Sequence, residues 1–381
     1  MNMLWVAISM LLGDRVKFFA LIFGVAFATL LMAQQSSFAV GLLSLSGNFV
    51  RDVREADLWV MRPGTVSTGS ALPMASTELY RIKGVAGVEW AMPLFSGNAL
   101  VRIADGSSLA VSILGVDNDS LIGTPQRMVL GAFADLRGPD AVFLNQTAYK
   151  RLFPGQPERL GATLELNDRR AVVAGIVKNS PRFGGDNVAY TRYSNAVRFV
   201  PSGRNTLSFV VVRTQAGVNT AELAQRITKT TDLKAIPRLE FVQENINQII
   251  KEGGIVQGFG LVVFLGAIVG AVIVGLTLSL FIRDNIKQLG ALKAIGVRNS
   301  VLTTMVLAQS LFAGLIGYGL GIGFTAWLLT ALAEAVNSFS TFYLPWQVMA
   351  GSAAAVLVMI IGAALFSIRR LLTTDPAEVF R

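Results

Sequence analysis

The chain contains no cysteine and no histidine in its 381 residues. That removes disulfides, thiol nucleophiles, the usual zinc sites and the usual general base. Charge is scarce as well. Only 15% of residues are Asp, Glu, Lys or Arg, against about a quarter in soluble domains. With 52% hydrophobic residues, this is the composition of a membrane protein. The net charge of +9 is spread out: residues 51–252 hold 24 Lys and Arg against 19 Asp and Glu, with no dense basic run. A nucleic-acid partner, which would want a clustered basic stripe, is therefore not expected.

Charge is missing altogether from four stretches, residues 18–45, 255–282, 301–333 and 347–368. At about 1.5 Å per helical residue each can cross a hydrocarbon core of about 30 Å. Ion-coupled and proton-coupled transporters need ionisable groups at membrane depth, and these stretches have none. Nor does the chain carry a Gly-x-x-x-x-Gly-Lys-Ser/Thr phosphate loop. No cofactor or metal is expected on this chain, and any energy must come from a partner.

What is present divides the chain as follows. Residues 1–17 read as an interfacial helix, because the apolar run is too short to span and its charges follow it. TM1 is 18–45, TM2 254–282, TM3 301–333 and TM4 347–368. Between TM1 and TM2, residues 46–253 look like a soluble α+β domain with a stalk. Residues 283–300 form a polar segment, 334–346 an external loop and 369–381 a tail. The expected fold is thus an α-helical integral membrane protein, with four TM helices and a large α+β extracytoplasmic domain inserted between TM1 and TM2.

Within that domain, β-rich runs predict strands at 58–61, 85–92, 99–103, 109–116, 141–144, 162–166, 171–177, 188–193, 196–200 and 207–213. Ala104 to Ser107 reads as a hairpin turn. Helices are expected at 77–83, 146–153, 220–230 and 239–251, with Asn219 capping the third. A break into two lobes is expected near 120–125 or 137–140. The acid pairs Glu165/Asp168 and Asp117/Asp119 read as turn and surface groups rather than catalytic ones. Arg182, Phe183, Tyr190 and Tyr193 read as loop and strand surface, ahead of the alternative that they contact an amphiphile.

Glycines four apart, Gly254/Gly258 and Gly266/Gly270 in TM2 and Gly317/Gly321 in TM3, offer small-residue faces for helix packing. The run Gly319-Leu-Gly321-Ile-Gly323 is packing too, since it lacks the strand and acid of a dinucleotide site.

Basic residues set the orientation. Arg15 and Lys17 precede TM1; Arg283, Lys287, Lys293 and Arg298 separate TM2 from TM3; Arg369 and Arg370 follow TM4. The external loop has none. The positive-inside rule then puts both termini and the central segment in the cytoplasm, and the large domain outside.

The segment RDNIKQLGALKAIGVRNS, residues 283–300, is the polar interval between two spans. Ile286, Leu289, Leu292, Lys293 and Ile295 suit a short amphipathic helix stopped by Gly296. Lys287 and Lys293 would project charge, while Leu289, Leu292 and Ile295 would offer an apolar face to a groove on a cytoplasmic motor.

Gly290, Leu292, Lys293, Ala294 and Gly296 match the G-x-L-K-A-x-G pattern of the MacB/FtsX-type ABC-transporter permeases, which this chain resembles. The tail Asp375-Pro376-Ala377-Glu378 is similar to that family's ending. Length and the segments around Trp59 and Asn205 look most like the DevC-like exporter branch. Arg283-Asp284 stands where a Glu-Arg pair is common. The resemblance implies a permease subunit without catalysis of its own, a second copy of itself and separate ABC ATPase subunits that hydrolyse ATP. It further implies a membrane-fusion adaptor, an outer-membrane channel, an inner-membrane location and export of a hydrophobic or amphipathic substrate. The alternative is an FtsX-like regulator that drives an external cell-wall hydrolase.

Overall fold

The computed structural model describes residues 3–103, 106–125, 127–182, 187–200, 205–252, 254–335 and 342–373. The tip of the expected hairpin at Ala104 and Asp105, Phe183, residues 336–341 of the external loop and the tail motif lie outside them. The chain forms two compact units, residues 42–253 and the remainder.

In order, the helices are α1 (Met3–Gly13), α2 (Arg15–Asp52), α3 (Glu78–Lys83), α4 (Gln146–Leu152), α5 (Tyr193–Phe199) and α6 (Thr220–Thr231). Then come α7 (Arg238–Glu252), α8 (Ile255–Asp284), α9 (Ile286–Ala294), α10 (Asn299–Ala335) and α11 (Trp346–Thr373). The strands are β1 (Leu58–Met61), β2 (Met74–Ala75), β3 (Val88–Arg102), β4 (Ser108–Val116), β5 (Arg127–Leu130) and β6 (Ala141–Asn145). They continue with β7 (Thr163–Leu166), β8 (Arg169–Lys178), β9 (Val188–Arg192), β10 (Thr206–Leu207), β11 (Phe209–Thr214) and β12 (Lys234–Pro237).

Among the described residues four helices, α2, α8, α10 and the apolar part of α11, are long and apolar enough to cross a membrane. Glycines let them approach closely. A Cβ on Gly270 would stand 2.4 Å from Ala28 of α2, and one on Gly266 3.2 Å from Leu31. On α10, a Cβ at Gly317 would meet Ile22 O at 2.8 Å, and at Gly321 Ala26 O at 2.6 Å. Gly258, Gly319 and Gly323 face open space instead, and Gly254 takes a left-handed φ of +57° just before α8. The Gly254/Gly258 face therefore packs against nothing within its unit. The helix α1 buries Ala7 and Leu11, one turn apart, in the core shared with α10. Gln309 Nε2 of α10 donates to Ala7 O at 2.6 Å. Trp5 on its other side is exposed, so α1 is apolar around most of its circumference rather than polar on one face.

The other unit is built on a mixed ten-stranded sheet in the order β12-β1-β11-β3-β4-β9-β6-β8-β5, with β7 bridging β3 and β8. The pairs β4/β9 and β6/β8 are parallel. The two runs expected at 85–92 and 99–103 are one strand, β3. It pairs with β11 as far as Leu94↔Phe209 and with β4 from Phe95↔Gly115 onward. Residues 42–253 thus form one compact unit on one continuous sheet, with β3 in both pairings. A strand that trades partners midway leaves no compositional break to read. Around its first half Phe49, Trp59, Phe209 and Phe241 form an aromatic core, with Trp59 centroids 5.2 Å from Phe209 and 5.4 Å from Phe241.

Of residues 196–200, expected as strand, 196–199 belong to helix α5 and Val200 caps its end. The helix buries Asn195, Ala196 and Phe199, a helical spacing, and Ala196 fits over Gly115 of β4, where a Cβ would sit 2.5 Å away. The β-branched and aromatic side chains of this run mask its helical period. Strands β5 and β12, of four residues each, are too short to leave an alternating signal in the sequence. Asn219 caps α6, its Oδ1 accepting from Ala221 N at 2.9 Å and Glu222 N at 3.4 Å.

Arg182 and Tyr190 are not surface. Arg182 Nη2 donates to Tyr190 Oη at 2.7 Å, and its guanidinium lies 4.4 Å from the Phe49 ring centroid. Burial pushes the Tyr190 hydroxyl up to about 12. Tyr193, half-buried, donates to Thr206 O at 2.9 Å, and its hydroxyl is also raised by burial. Such side chains are committed to the fold.

Candidate coupling site

The short helix α9 is set off by a break on each side. Before it, Asn285 leaves helical geometry at φ −96° and ψ 10°, and its Nδ2 donates back to Phe281 O at 2.9 Å. After it, Gly296 takes φ +95°. Gly296 N donates to Lys293 O and Val297 N to Leu292 O, each at 3.1 Å. This pair of bonds is the Schellman stop, which needs a left-handed residue where the helix ends. A Cβ at that φ is strained, so the glycine that ends the motif has a backbone reason.

The faces of α9 differ from the sequence reading in one respect. Ile286, Leu292 and Val297 are partly buried against the core that also holds Phe281, Ile282 and Leu302. Leu292 thus helps seat α9, in the contact that usually accompanies a Schellman stop, rather than facing outward. Gly290 is buried as well. Ile295 projects, 82% exposed; Lys287 is exposed and Lys293 partly so. Leu289 and Ala294 lie on the helix, their side chains outside the described set.

One contact carried no sequence signal. Lys17, at the start of α2, is hydrogen-bonded to Asp14 and also pairs with Asp284 at the end of α8, Nζ to Oδ2 2.6 Å. The hydrogen bond from Lys17 holds the Asp14 carboxyl below the usual range. The turn between α1 and α2 is thereby pinned to the turn that launches α9. Residues 283–300 therefore hold a short helix with a break at each of its ends, tied to Lys17 through Asp284. Among the described residues no group of acids has the geometry of a metal site.

Comparison with known proteins finds two family models along the chain. The family model "MacB-like periplasmic core domain" matches residues 18–230, and "FtsX-like permease C-terminal" matches residues 260–376. A relative named "Macrolide export ATP-binding/permease protein MacB 1", from Yersinia pestis bv. Antiqua (strain Antiqua), is 22% identical over 287 residues. That match covers 71% of this chain and 42% of the relative. "Macrolide export ATP-binding/permease protein MacB" of Salmonella paratyphi A is 21% identical over 49% of this chain and 30% of its own length. The chain thus corresponds to less than half of these relatives. Among solved structures, the periplasmic region of MacB from Actinobacillus actinomycetemcomitans covers 53% of this chain and 96% of its own. It is 15% identical, with a TM-score of 0.38.

Proposed function

This chain belongs to the MacB/FtsX-type ABC-transporter permease family, and from that premise we propose that it is the membrane subunit of an ATP-driven exporter. A separate ATPase subunit docks on residues 283–300 from the cytoplasm and moves α9. A second copy completes the permease, and in a double-membrane cell an adaptor and an outer-membrane channel extend it. The substrate is hydrophobic or amphipathic. The chain itself hydrolyses nothing, both termini lie in the cytoplasm of an inner-membrane protein, and residues 46–253 work outside. The exporter assignment follows the DevC-like branch.

The observation that carries this reading is the construction of α9. It has Asn285 and the Gly296 stop as its ends, its own inward face in Ile286 and Leu292, and an exposed edge in Lys287 and Ile295. A helix that is seated on one side and bare on the other suits a groove in a partner. Charges and one apolar side chain at the exposed edge are what that groove would grip.

The test is reconstitution with the ATPase. Ile295→Glu and Lys287→Glu are expected to leave the permease folded and in the membrane, and to abolish the ATPase stimulation that accompanies export. Unchanged stimulation would overturn the docking assignment. Capture of a cell-wall hydrolase by the external domain, with no cargo moved, would favour the FtsX-like reading instead.

A further inference from the structure

In the unit of residues 42–253, an open cleft of about 490 Å³ lies where the end of α2 meets β5 and β8. Its lining includes Asp52, Arg54, Arg127, Lys178 and Ser180, with Pro125 and Pro181 supplying apolar wall. Arg127 and Lys178 stand directly opposite one another in the β5/β8 register. Directly opposed residues of an antiparallel pair share one face, with Cβ atoms about 5 Å apart, and like charges there repel. Arg54 adds a third positive charge to the same cleft.

The one acid in that lining does not balance them. Asp52 accepts from Ser180 Oγ at 2.6 Å and from Ser180 N at 3.2 Å. Its charge is met by Arg182, 3.9 Å away and mostly buried. Among the described residues Arg54, Arg127 and Lys178 form no ion pair. Asp52 therefore offsets Arg182 first and Arg54 more weakly, and the cleft keeps a net positive charge with Arg54, Arg127 and Lys178 exposed to solvent.

We propose that this cleft binds a phosphate-class anion. A single carboxylate would leave two of three charges unmet, whereas a phosphate group brings up to two negative charges and several acceptor oxygens. Two guanidinium forks and an ammonium are the donors that such oxygens take up. The volume suits one head group with its first few carbons, not a polymer track. The source is either the head group of an amphiphile or a free oxyanion, and the assignment stands apart from the export reading because binding needs no ATPase.

The experiment uses the full chain in a maltoside detergent, which carries no phosphate. Dihexanoyl phosphatidate is titrated calorimetrically, with dihexanoylglycerol as the neutral control and inorganic phosphate as competitor. Saturable binding of the phosphatidate is expected, weakening with salt and falling at least about tenfold in the Arg127→Gln, Lys178→Gln double variant. Lys229→Gln, an exposed lysine on α6, should change nothing. Arg127→Lys keeps the charge and should retain most of the affinity, which separates charge loss from misfolding. Displacement by inorganic phosphate at equal concentration would assign the site to a free oxyanion, and weak displacement to an amphiphile head group. Absence of binding by both probes, equal binding of the neutral control, or undiminished binding in the double variant would overturn the proposal.

Discussion

Lys17 Nζ lies 2.6 Å from Asp284 Oδ2, joining two turns that are 267 positions apart in sequence. Asp14 also binds the same ammonium. The contact is partly open to water, with Asp284 55% exposed. Its contribution to stability is therefore small, about 0–1 kcal/mol, and its value lies in fixing where α9 begins.

Reversing Lys17 to Glu should leave expression and thermal midpoint nearly unchanged while weakening ATPase-coupled export. Asp284→Lys should do the same. The double exchange restores an attractive pair and should recover much of the coupling. Transport assays in proteoliposomes decide it, and three indistinguishable activities would show that the contact is incidental.

The same cluster predicts a pH response. The Asp14 carboxyl is lowered by its hydrogen bond from Lys17. A lowered carboxylate stabilises fully above its unfolded value of about 4 and loses that contribution as pH falls through the lowered value. Distance between spin labels on α1 and α9 should thus be constant across neutral pH and widen only in acid. Widening near pH 6 would contradict the assignment.

Tyr190 gives the opposite sign. Its hydroxyl is pushed up to about 12, so the folded protein keeps a proton that the unfolded chain gives up near pH 10. Stability from this group is complete below about pH 10 and is lost as pH rises toward 12. Chemical denaturation of Tyr190→Phe should show a shallower alkaline decline than the parent. At neutral pH the variant should be weaker by about 1–3 kcal/mol, since the buried Arg182 donor loses its acceptor.

Gly296→Val should cost about 1–2 kcal/mol locally, because φ is +95° there, and should fray the end of α9. Increased proteolysis after Lys293 in inside-out vesicles would report it. Gly296→Asn, which tolerates left-handed geometry better, should be milder. Equal cleavage in all three proteins would exclude the Schellman stop as the determinant of α9.

Two glycines of α10 that are two residues apart should differ sharply. Gly321→Ala drives a methyl to within 2.6 Å of Ala26 O, a backbone atom that cannot rotate away. Overpacking of this kind costs about 1–3 kcal/mol. Gly323→Ala meets open space and should be neutral. Thermal unfolding in detergent compares them, and equal midpoints would mean that α2 and α10 are not seated as described.

The sequence was most legible where the signal is local. Asn219 caps α6 because an Asx side chain reaches the next two or three backbone N–H groups without help from the rest of the chain. Gly296 ends α9 for a similarly local reason. Legibility failed where partners are distant. Residues 196–200 carry strand-forming side chains, yet the bare surface at Gly115, some 80 positions away, accepts a helix. Leu292 reads as free to face a partner because nothing nearby in sequence says that it packs against the core that holds Phe281 and Leu302.

Composition and periodicity by themselves determined four apolar spans, an inserted α+β domain and a polar interval between the second and third spans. Each follows from hydrophobic runs and backbone preferences that a stretch of twenty residues contains. Only the tertiary structure decided that β3 changes partners at Leu94, that Lys17 meets Asp284, and that Arg54, Arg127 and Lys178 share a cleft. Those are choices among distant partners, set by closing the chain on itself, and no local window of sequence encodes them.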